Sequence, residues 1–340
     1  MKNFKRFLTF LTLILLLVGC GYFSVVYYLE NKYPELRAEE LDAKVEFEIR
    51  RGTGLYAIID VLYEKNLIES KFLFYLYCYH NNLLDKFKSG DYSFLPGVTR
   101  KELTFRLLNG AVKQHKITVV EGMTMQEIAV MLGEKTSFSP EKFLAICRKG
   151  DEFSYRNARG TLEGYLFPDT YFFDRTTDER KLVERMVGHF GTKIEALKKE
   201  LNLKEIKDLD KIITMASIIE KESSNLKEKP LVASVFYNRL RKNYLLQTDP
   251  TVIYAVNLVR EFNGNLTRKD LKMDSEYNTY RKRGLPPTAI ANPGIESIRA
   301  AILPATTDYL YFVSMKNGQH YFSKSLAEHN RAVRKYQLNR

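Results

Sequence analysis

The chain reads as an α+β protein in three parts: an N-terminal transmembrane helix, a small α+β region and a larger α+β domain. Three observations predict this. An uncharged run of 23 residues, Phe7 to Leu29, opens the chain. A strand–glycine–helix cadence follows it and is written three times. Beyond residue 160 the character changes to long helical stretches joined by loops rich in amide, hydroxyl and aromatic side chains. The expected boundaries are a cytoplasmic tail at 1–6, an anchor at 7–29, a stalk at 30–44, a small region at 45–115 and the large domain at 116–340.

The apolar run justifies the first element. A bilayer-spanning helix needs about 20 residues, whereas the apolar core of a cleaved signal peptide is about 7–15. Lys2, Lys5 and Arg6 precede the run, and Glu30–Glu48 carries seven acids against three bases. The positive-inside rule then puts the N-terminus in the cytoplasm and the rest outside. This predicts a single-pass protein of the cell (inner) membrane with an extracytoplasmic, periplasmic body. Leu17-Val18-Gly19-Cys20 is similar to a bacterial lipobox, but the apolar run continues nine residues past Cys20. The uncleaved anchor is the reading taken, with lipidation of Cys20 as the competitor.

Composition narrows the partners. The 340 residues are 45% hydrophobic and 28% charged, which excludes a disordered tail or a disulfide-stapled miniprotein. A net charge of +12 suits a polyanion: nucleic acid, a membrane surface or an anionic wall polymer. There is no RNP box and no zinc-finger spacing, so nucleic acid is not expected. Cys78 and Cys147 sit in apolar runs and read as buried free thiols. The five histidines are scattered, and no metal or other cofactor is expected.

The repeat defines the small region and the entry to the large one. Val45–Ile49 alternates as a strand, a turn follows at Gly52, and Ile58, Ile59, Val61 and Leu62 recur at helical spacing. Lys116–Lys135 repeats the pattern around Gly122, and Tyr92–Leu108 does so around Gly97. Counted from each glycine, position +6 is Ile58, Leu103 or Ile128, and position +10 is Leu62, Leu107 or Leu132. Thr99 and Thr124 are placed to cap their helices, with Glu102 and Glu127 three residues on as capping boxes. An ordinary α+β core could carry the same cadence. The cadence also resembles the LysM peptidoglycan-binding module, which would make residues 45–115 a LysM-like glycan-binding region.

The large domain carries the candidate chemistry. Residues 178–201 read as a charged amphipathic helix serving as scaffold. Asp210–Ser223 is apolar almost all round and is expected to be buried. Glu220 lies four residues after Ala216 and seven after Ile213, extending the apolar face, while Glu222 falls on the opposite side and is expected in water. A carboxylate at the end of a buried helix is desolvated, which suits a general acid. Glu220 could equally be an ion-paired helix-end residue, with Arg239 or Lys221 as partner. The loops that follow hold groups that suit hydroxyl-rich ligands: amides for sugar hydroxyls and Tyr faces for pyranose rings. No Ser-His-Asp, GxSxG, HExxH or Walker A pattern is present.

The segments LEGYLFPDTY, MASIIEKES, VFYNRL, LQTDPTVIYA and YNTYRKRGLPPTAIANPGIESIRAAILPA resemble the YceG/MltG family of endolytic murein transglycosylases, as does the C-terminal YLYFVSMKNGQHYFSKSLAEHNRAVRKY. The resemblance covers the whole chain. It implies that Glu220, the first Glu of the A-S-I-I-E-K-E motif, is catalytic. It also implies that Glu163, Gln247, Asp249, Tyr277, Asn278 and Tyr280 line a glycan cleft. The reaction implied is cleavage of the N-acetylmuramic acid–N-acetylglucosamine β-1,4 bond without water, leaving 1,6-anhydro ends. Its partners would be nascent peptidoglycan strands and wall synthases of the penicillin-binding class. A non-catalytic wall-binding scaffold for those synthases is the alternative.

Overall fold

The glycine turns set the local architecture. Gly52, Gly97 and Gly122 have φ of 85°, 80° and 80°, a left-handed backbone that favours residues without a side chain. Each turn releases the chain from a strand into a helix. The computed structural model describes residues 2–36, 38, 43–110, 115–174 and 177–338, and these fall into two compact units. One holds residues up to 115 together with 172–177. The other holds 116–171 and everything from 178 onward.

The first unit begins with α1 (Lys2–Tyr27), then β1 (Val45–Ile49), α2 (Leu55–Glu64), α3 (Lys71–His80), β2 (Gly90–Phe94) and α4 (Arg100–Asn109). An 18-residue window within Thr12–Glu35 has a mean hydropathy of 2.0, and the helix is long and apolar enough to cross a membrane. A spanning anchor and a signal sequence both carry such a helix. β1 and β2 pair antiparallel from Val45↔Phe94 to Ile49↔Gly90, so the first two copies of the repeat share one sheet. Their +6 and +10 residues, Ile58, Leu62, Leu103 and Leu107, are all buried in one core with Phe74 and Cys78.

Residues 30–36, the first part of the expected stalk, pack on the first unit. Leu29, Tyr33 and Ala38 are buried in the unit's core, and the Tyr33 ring lies 5.3 Å from that of Tyr77. The Arg100 amide donates to the Leu36 carbonyl at 2.9 Å. Leu29, Tyr33 and Leu36 stand at i, i+4 and i+7, a helical stripe hidden among charges. Residues 37 and 39–42 of the expected stalk lie outside the described residues.

The second unit receives the third copy of the repeat. The short strand β3 (His115–Thr118) crosses the boundary and leads through Gly122 into α5 (Met125–Lys135), followed by α6 (Pro140–Cys147), β4 (Thr170–Phe173), which returns to the first unit at Phe172, and α7 (Glu179–Glu200). Then come α8 (Leu209–Glu222), α9 (Lys229–Arg241), α10 (Asp249–Asn257), α11 (Arg268–Leu271) and α12 (Ile295–Ile302). The hairpin β5 (Tyr311–Ser314) and β6 (His320–Ser323) pairs antiparallel, and α13 (Leu326–Val333) follows. Thr124 and Glu127 form the full capping box of α5, each accepting the other's backbone N–H. Thr99 caps α4 alone, because the Glu102 carboxylate turns to Arg106 instead.

α8 is the axis of this unit. Ile213, Met215, Ala216, Ile218 and Ile219 are buried among Phe190 and Ile194 of α7, Val232 and Phe236 of α9, and Ile298 and Ala301 of α12. The LEGY loop lies directly on it. Gly164 has φ 94°, and a Cβ there would stand 2.6 Å from Ala289 Cβ and 2.8 Å from Ile213 Cγ2. Replacing Gly164 with Ala therefore combines a disfavoured backbone with overpacking. The expected loss is at least about 2 kcal/mol of stability, read from the denaturation midpoint. An unchanged midpoint would show that the loop does not depend on this contact.

Candidate active site

Glu220 occupies the last turn of α8, and its side chain is 8% exposed. Apolar burial of α8 carries the carboxylate inward, so its partners must come from neighbouring elements. Lys229, 5% exposed at the start of α9, places its Nζ 2.6 Å from Glu220 Oε1. The Ser297 hydroxyl donates to Oε2 at 2.8 Å and the Gly294 amide at 2.9 Å. Lys229 Nζ also donates to Ser297 Oγ at 2.7 Å, closing a ring of three side chains. Gly294 is the N-cap of α12, so the carboxylate also sits at the positive end of that helix.

These partners correct the pairing inferred from spacing. Arg239 donates instead to the carbonyls of Leu245, Leu246 and Leu310, and Lys221 to that of Gly122. Three donors thus meet a carboxylate that burial alone would leave desolvated. A second carboxylate was also missed. At Gly294, a Cβ would lie 3.4 Å from Glu220 Oε2, 2.7 Å from Glu121 Cγ and 3.6 Å from Glu121 Oε1. At Gly122, a Cβ would lie 3.6 Å from Glu220 Cγ. Two glycines thus leave room beside Glu220, and the exposed Glu121 faces the same space. The only cue to Glu121 in the sequence is its place before the Gly122 turn.

Glu222 does not stand in water. It is half-buried and accepts a hydrogen bond from the Thr248 hydroxyl. Burial pushes its carboxyl above the ordinary range, and nearby Asp249 adds to the shift. Glu222 lines a cavity of about 350 Å³ with Arg239, Gln247, Asp249, Tyr280 and Tyr311. Three residues expected in the cleft are therefore gathered around Glu222, and Glu220 is not part of that lining. Gln247 is exposed and holds a left-handed φ of 51°, while the Tyr280 hydroxyl donates to Asp249 Oδ1 at 2.6 Å.

The other three expected cleft residues lie inside the protein. Glu163, 2% exposed, accepts from the Met125 amide at 3.0 Å, the Tyr254 hydroxyl at 3.2 Å and the Asn292 amide at 3.3 Å. Asn278 is fully buried and donates to the carbonyls of Leu271 and Met273. Tyr277 is buried, with its hydroxyl 2.8 Å from that of Thr288. These are fold-building contacts. The resemblance implies a place in the glycan cleft for all three, and the structure sets their side chains beneath the surface.

Asn292 ties the loops together. Its Oδ1 accepts from the Gly164 and Leu166 amides at 2.9 Å each, and its Nδ2 donates to the Met123 carbonyl at 2.9 Å. Its backbone carbonyl accepts from Gly122, fixing the turn that carries Glu121.

The unit is thus an α+β scaffold that closes a carboxylate–ammonium pair between three helices and sets a polar, aromatic cavity nearby. The chain belongs to the YceG-like family, whose sequence profile matches residues 47–335. It is 36% identical over 320 residues, 88% of each chain, to a Bacillus subtilis protein named endolytic murein transglycosylase. A Streptococcus pneumoniae protein of the same name is 27% identical over 361 aligned residues, spanning 96% of this chain and 64% of that one. A crystal structure of a YceG-like protein from Listeria monocytogenes shares 34% identity with a TM-score of 0.57, covering 85% of this chain and 99% of that one.

Two expectations follow. Removing one member of a buried ion pair strands the other, at about 3–5 kcal/mol. Glu220→Gln and Lys229→Met should each be destabilised by that order, and the double variant by clearly less than their sum. Chemical denaturation of the four proteins checks this. Additive losses would mean that the pair is not coupled.

The second concerns Glu163, whose carboxyl burial pushes up to about 8 from 4.5. Between these values the folded protein keeps a proton that the unfolded chain has released. Stability from this group is therefore full below pH 4.5 and falls as pH rises, by up to about 1.4 kcal/mol per unit. In Glu163→Gln that slope should vanish, seen as the difference from wild type in unfolding at pH 5, 6 and 7. Parallel slopes would refute the assignment.

Proposed function

We propose that this chain is a membrane-anchored endolytic lytic transglycosylase of the cell wall, with Glu220 as its acid and base. The observation that carries the reading is the Glu220 network, held by Lys229, Ser297 and Gly294, in a chain with curated relatives named for this activity. Glu220 gives a proton to the oxygen that leaves with N-acetylglucosamine, and the C1–O bond of N-acetylmuramic acid breaks. The substrate's acetamido group supports the charge at C1. Glu220, now a carboxylate, takes the proton of the muramic C6 hydroxyl as that oxygen bonds to C1. The Lys229 ammonium and the two other donors stabilise the carboxylate between the two transfers. No water enters, and the product ends in 1,6-anhydro-muramic acid.

Gln247, Asp249 and Tyr280 are proposed to bind glycan at the Glu222 cavity, where Tyr280 and Tyr311 offer ring faces. Glu163, Tyr277 and Asn278 act beneath the surface as supports. Residues 7–29 serve as the inner-membrane anchor with an extracytoplasmic body, 45–115 as a LysM-like glycan-binding region and 116–340 as the catalytic domain. The two-stranded sheet and its helices support the LysM-like reading. Cutting nascent strands beside wall synthases would terminate their elongation.

A second reading has one observation in its favour. The Glu220–Lys229 pair is closed and buried, as a structural ion pair would be, and the protein would then be a scaffold. Purified full-length protein acting on glycan strands separates the two. Wild type should release 1,6-anhydro ends from within strands. Glu220→Gln should lose at least about 10²–10⁴-fold in rate beyond any loss of folded fraction. Glu222→Gln should keep the product while binding glycan more weakly. Full activity in folded Glu220→Gln would remove it from the chemistry, and reducing ends as the main product would point to water and a base such as Glu121.

A further inference from the structure

The small unit is joined to the apolar helix without a flexible break. The chain runs from α1 through a π-helical turn, Tyr28–Lys32, into a 3-10 turn, Tyr33–Glu35. Leu29 and Tyr33, on those turns, are part of the unit's core. The unit's orientation to the helix is therefore set by packing. Glu30 is the first charge after the apolar run, so it marks the edge of the hydrocarbon layer. His80, the last residue of α3, places its Nε2 3.1 Å from Glu30 Oε1. The polar layer beyond the hydrocarbon is about 5–8 Å thick on each side. Tyr79, adjacent to His80, stands at that level.

The surface around Tyr79 has the chemistry of that layer. Phe72, Tyr75 and Tyr79 fall at i, i+3 and i+7 on α3, and Phe72 and Tyr79 are 70% and 62% exposed. Tyr56 of α2 stacks on Tyr75 with ring centroids 5.4 Å apart. Lys71 lies 5.1 Å over the ring of Tyr63, and both are exposed. Exposed rings with an apolar body and a polar tip suit the headgroup boundary, and the Lys71 ammonium beside them is paired with Asp60 at 2.7 Å. The opposite face of the same helix, Phe74, Tyr77 and Cys78, is buried, and of the stripe Tyr75 also packs against the core, which leaves Phe72 and Tyr79 free of it.

We propose that this α2–α3 face rests in the headgroup layer of the bilayer that α1 enters, docking the small unit on lipid. The proposal rests on the reading of α1 as a membrane-spanning anchor. Lipid is the occupant because the face adjoins the emerging helix: the Glu30–His80 contact holds the end of α3 beside the end of the apolar run, and its exposed rings pair an apolar body with a polar tip.

The chain has no Trp, so a single introduced indole reports alone. Full-length Tyr79→Trp is placed in phosphatidylglycerol–phosphatidylethanolamine vesicles, with and without brominated acyl chains. An interfacial face is buried about 5–10 Å into the headgroup–acyl boundary, so bromination should quench emission by roughly half or more. Aqueous acrylamide should then quench little. Phe72→Trp provides an independent reporter should the first variant fold poorly. An alkaline carbonate wash separates the two layers of the argument. Protein that washes off overturns the anchor and the docking together. Protein that stays, with an indole open to acrylamide and untouched by bromine, overturns the docking alone. Shielding by added glycan strands in place of lipid would make the face a sugar platform and overturn it as well.

Discussion

The large unit depends on one buried ion pair. Glu220 and Lys229 are both nearly withdrawn from water, and neither charge is tolerable alone in that setting. Their compensation requires α8, α9 and the start of α12 to meet at one point. Ser297 bridges the two charges, and the Gly294 amide adds the end of α12 as a third element. The position of the carboxylate is thereby tied to the packing of three helices, each held by the apolar core around Ile218 and Ile219. A group fixed in this way keeps one position relative to all three helices.

Small residues let the loops come close enough to complete that arrangement. Gly164 permits the LEGY segment to touch Ile213 and Ala289, while Gly122 and Gly294 leave space on either side of Glu220. Asn292 then fastens the glycine-bearing segments with four side-chain hydrogen bonds. The same amide holds Glu163, whose carboxyl burial pushes up although the Met125 amide and the Tyr254 hydroxyl, donating to it, oppose the shift. Glu163 and Glu220 thus illustrate two solutions to a buried carboxyl: one is placed among neutral groups, the other is given a lysine.

What was legible in the sequence follows from range. The +6 and +10 positions of all three repeats are buried, because periodicity within one helix is a local signal. The burial of α8 was legible for the same reason. Lys229 was not, since no pattern carries across the loop between α8 and α9. Ser297, 77 residues from Glu220, is further still. The wheel placed Glu222 opposite Glu220 correctly, yet the opposite side of α8 meets Thr248 and a cavity rather than water. Likewise, Glu163 and Asn278 sit in polar segments whose side chains turn inward to satisfy the backbone of neighbouring loops.

The junction after α1 shows how a charged segment can conceal structure. Seven acids and three bases between Glu30 and Glu48 suggest a solvated tether, but Leu29 and Tyr33 need only one face of a short helix to enter the core. Both are almost wholly buried, and Tyr33 packs against Tyr77 on α3. Burying these two side chains contributes about 1.5–3 kcal/mol each, enough to hold the turn in one orientation. A tether of the same length made only of charges would let the small unit tumble relative to α1. The apolar stripe instead passes the direction of α1 into the unit, and α3, touching both Glu30 and Tyr33, is the element that receives it.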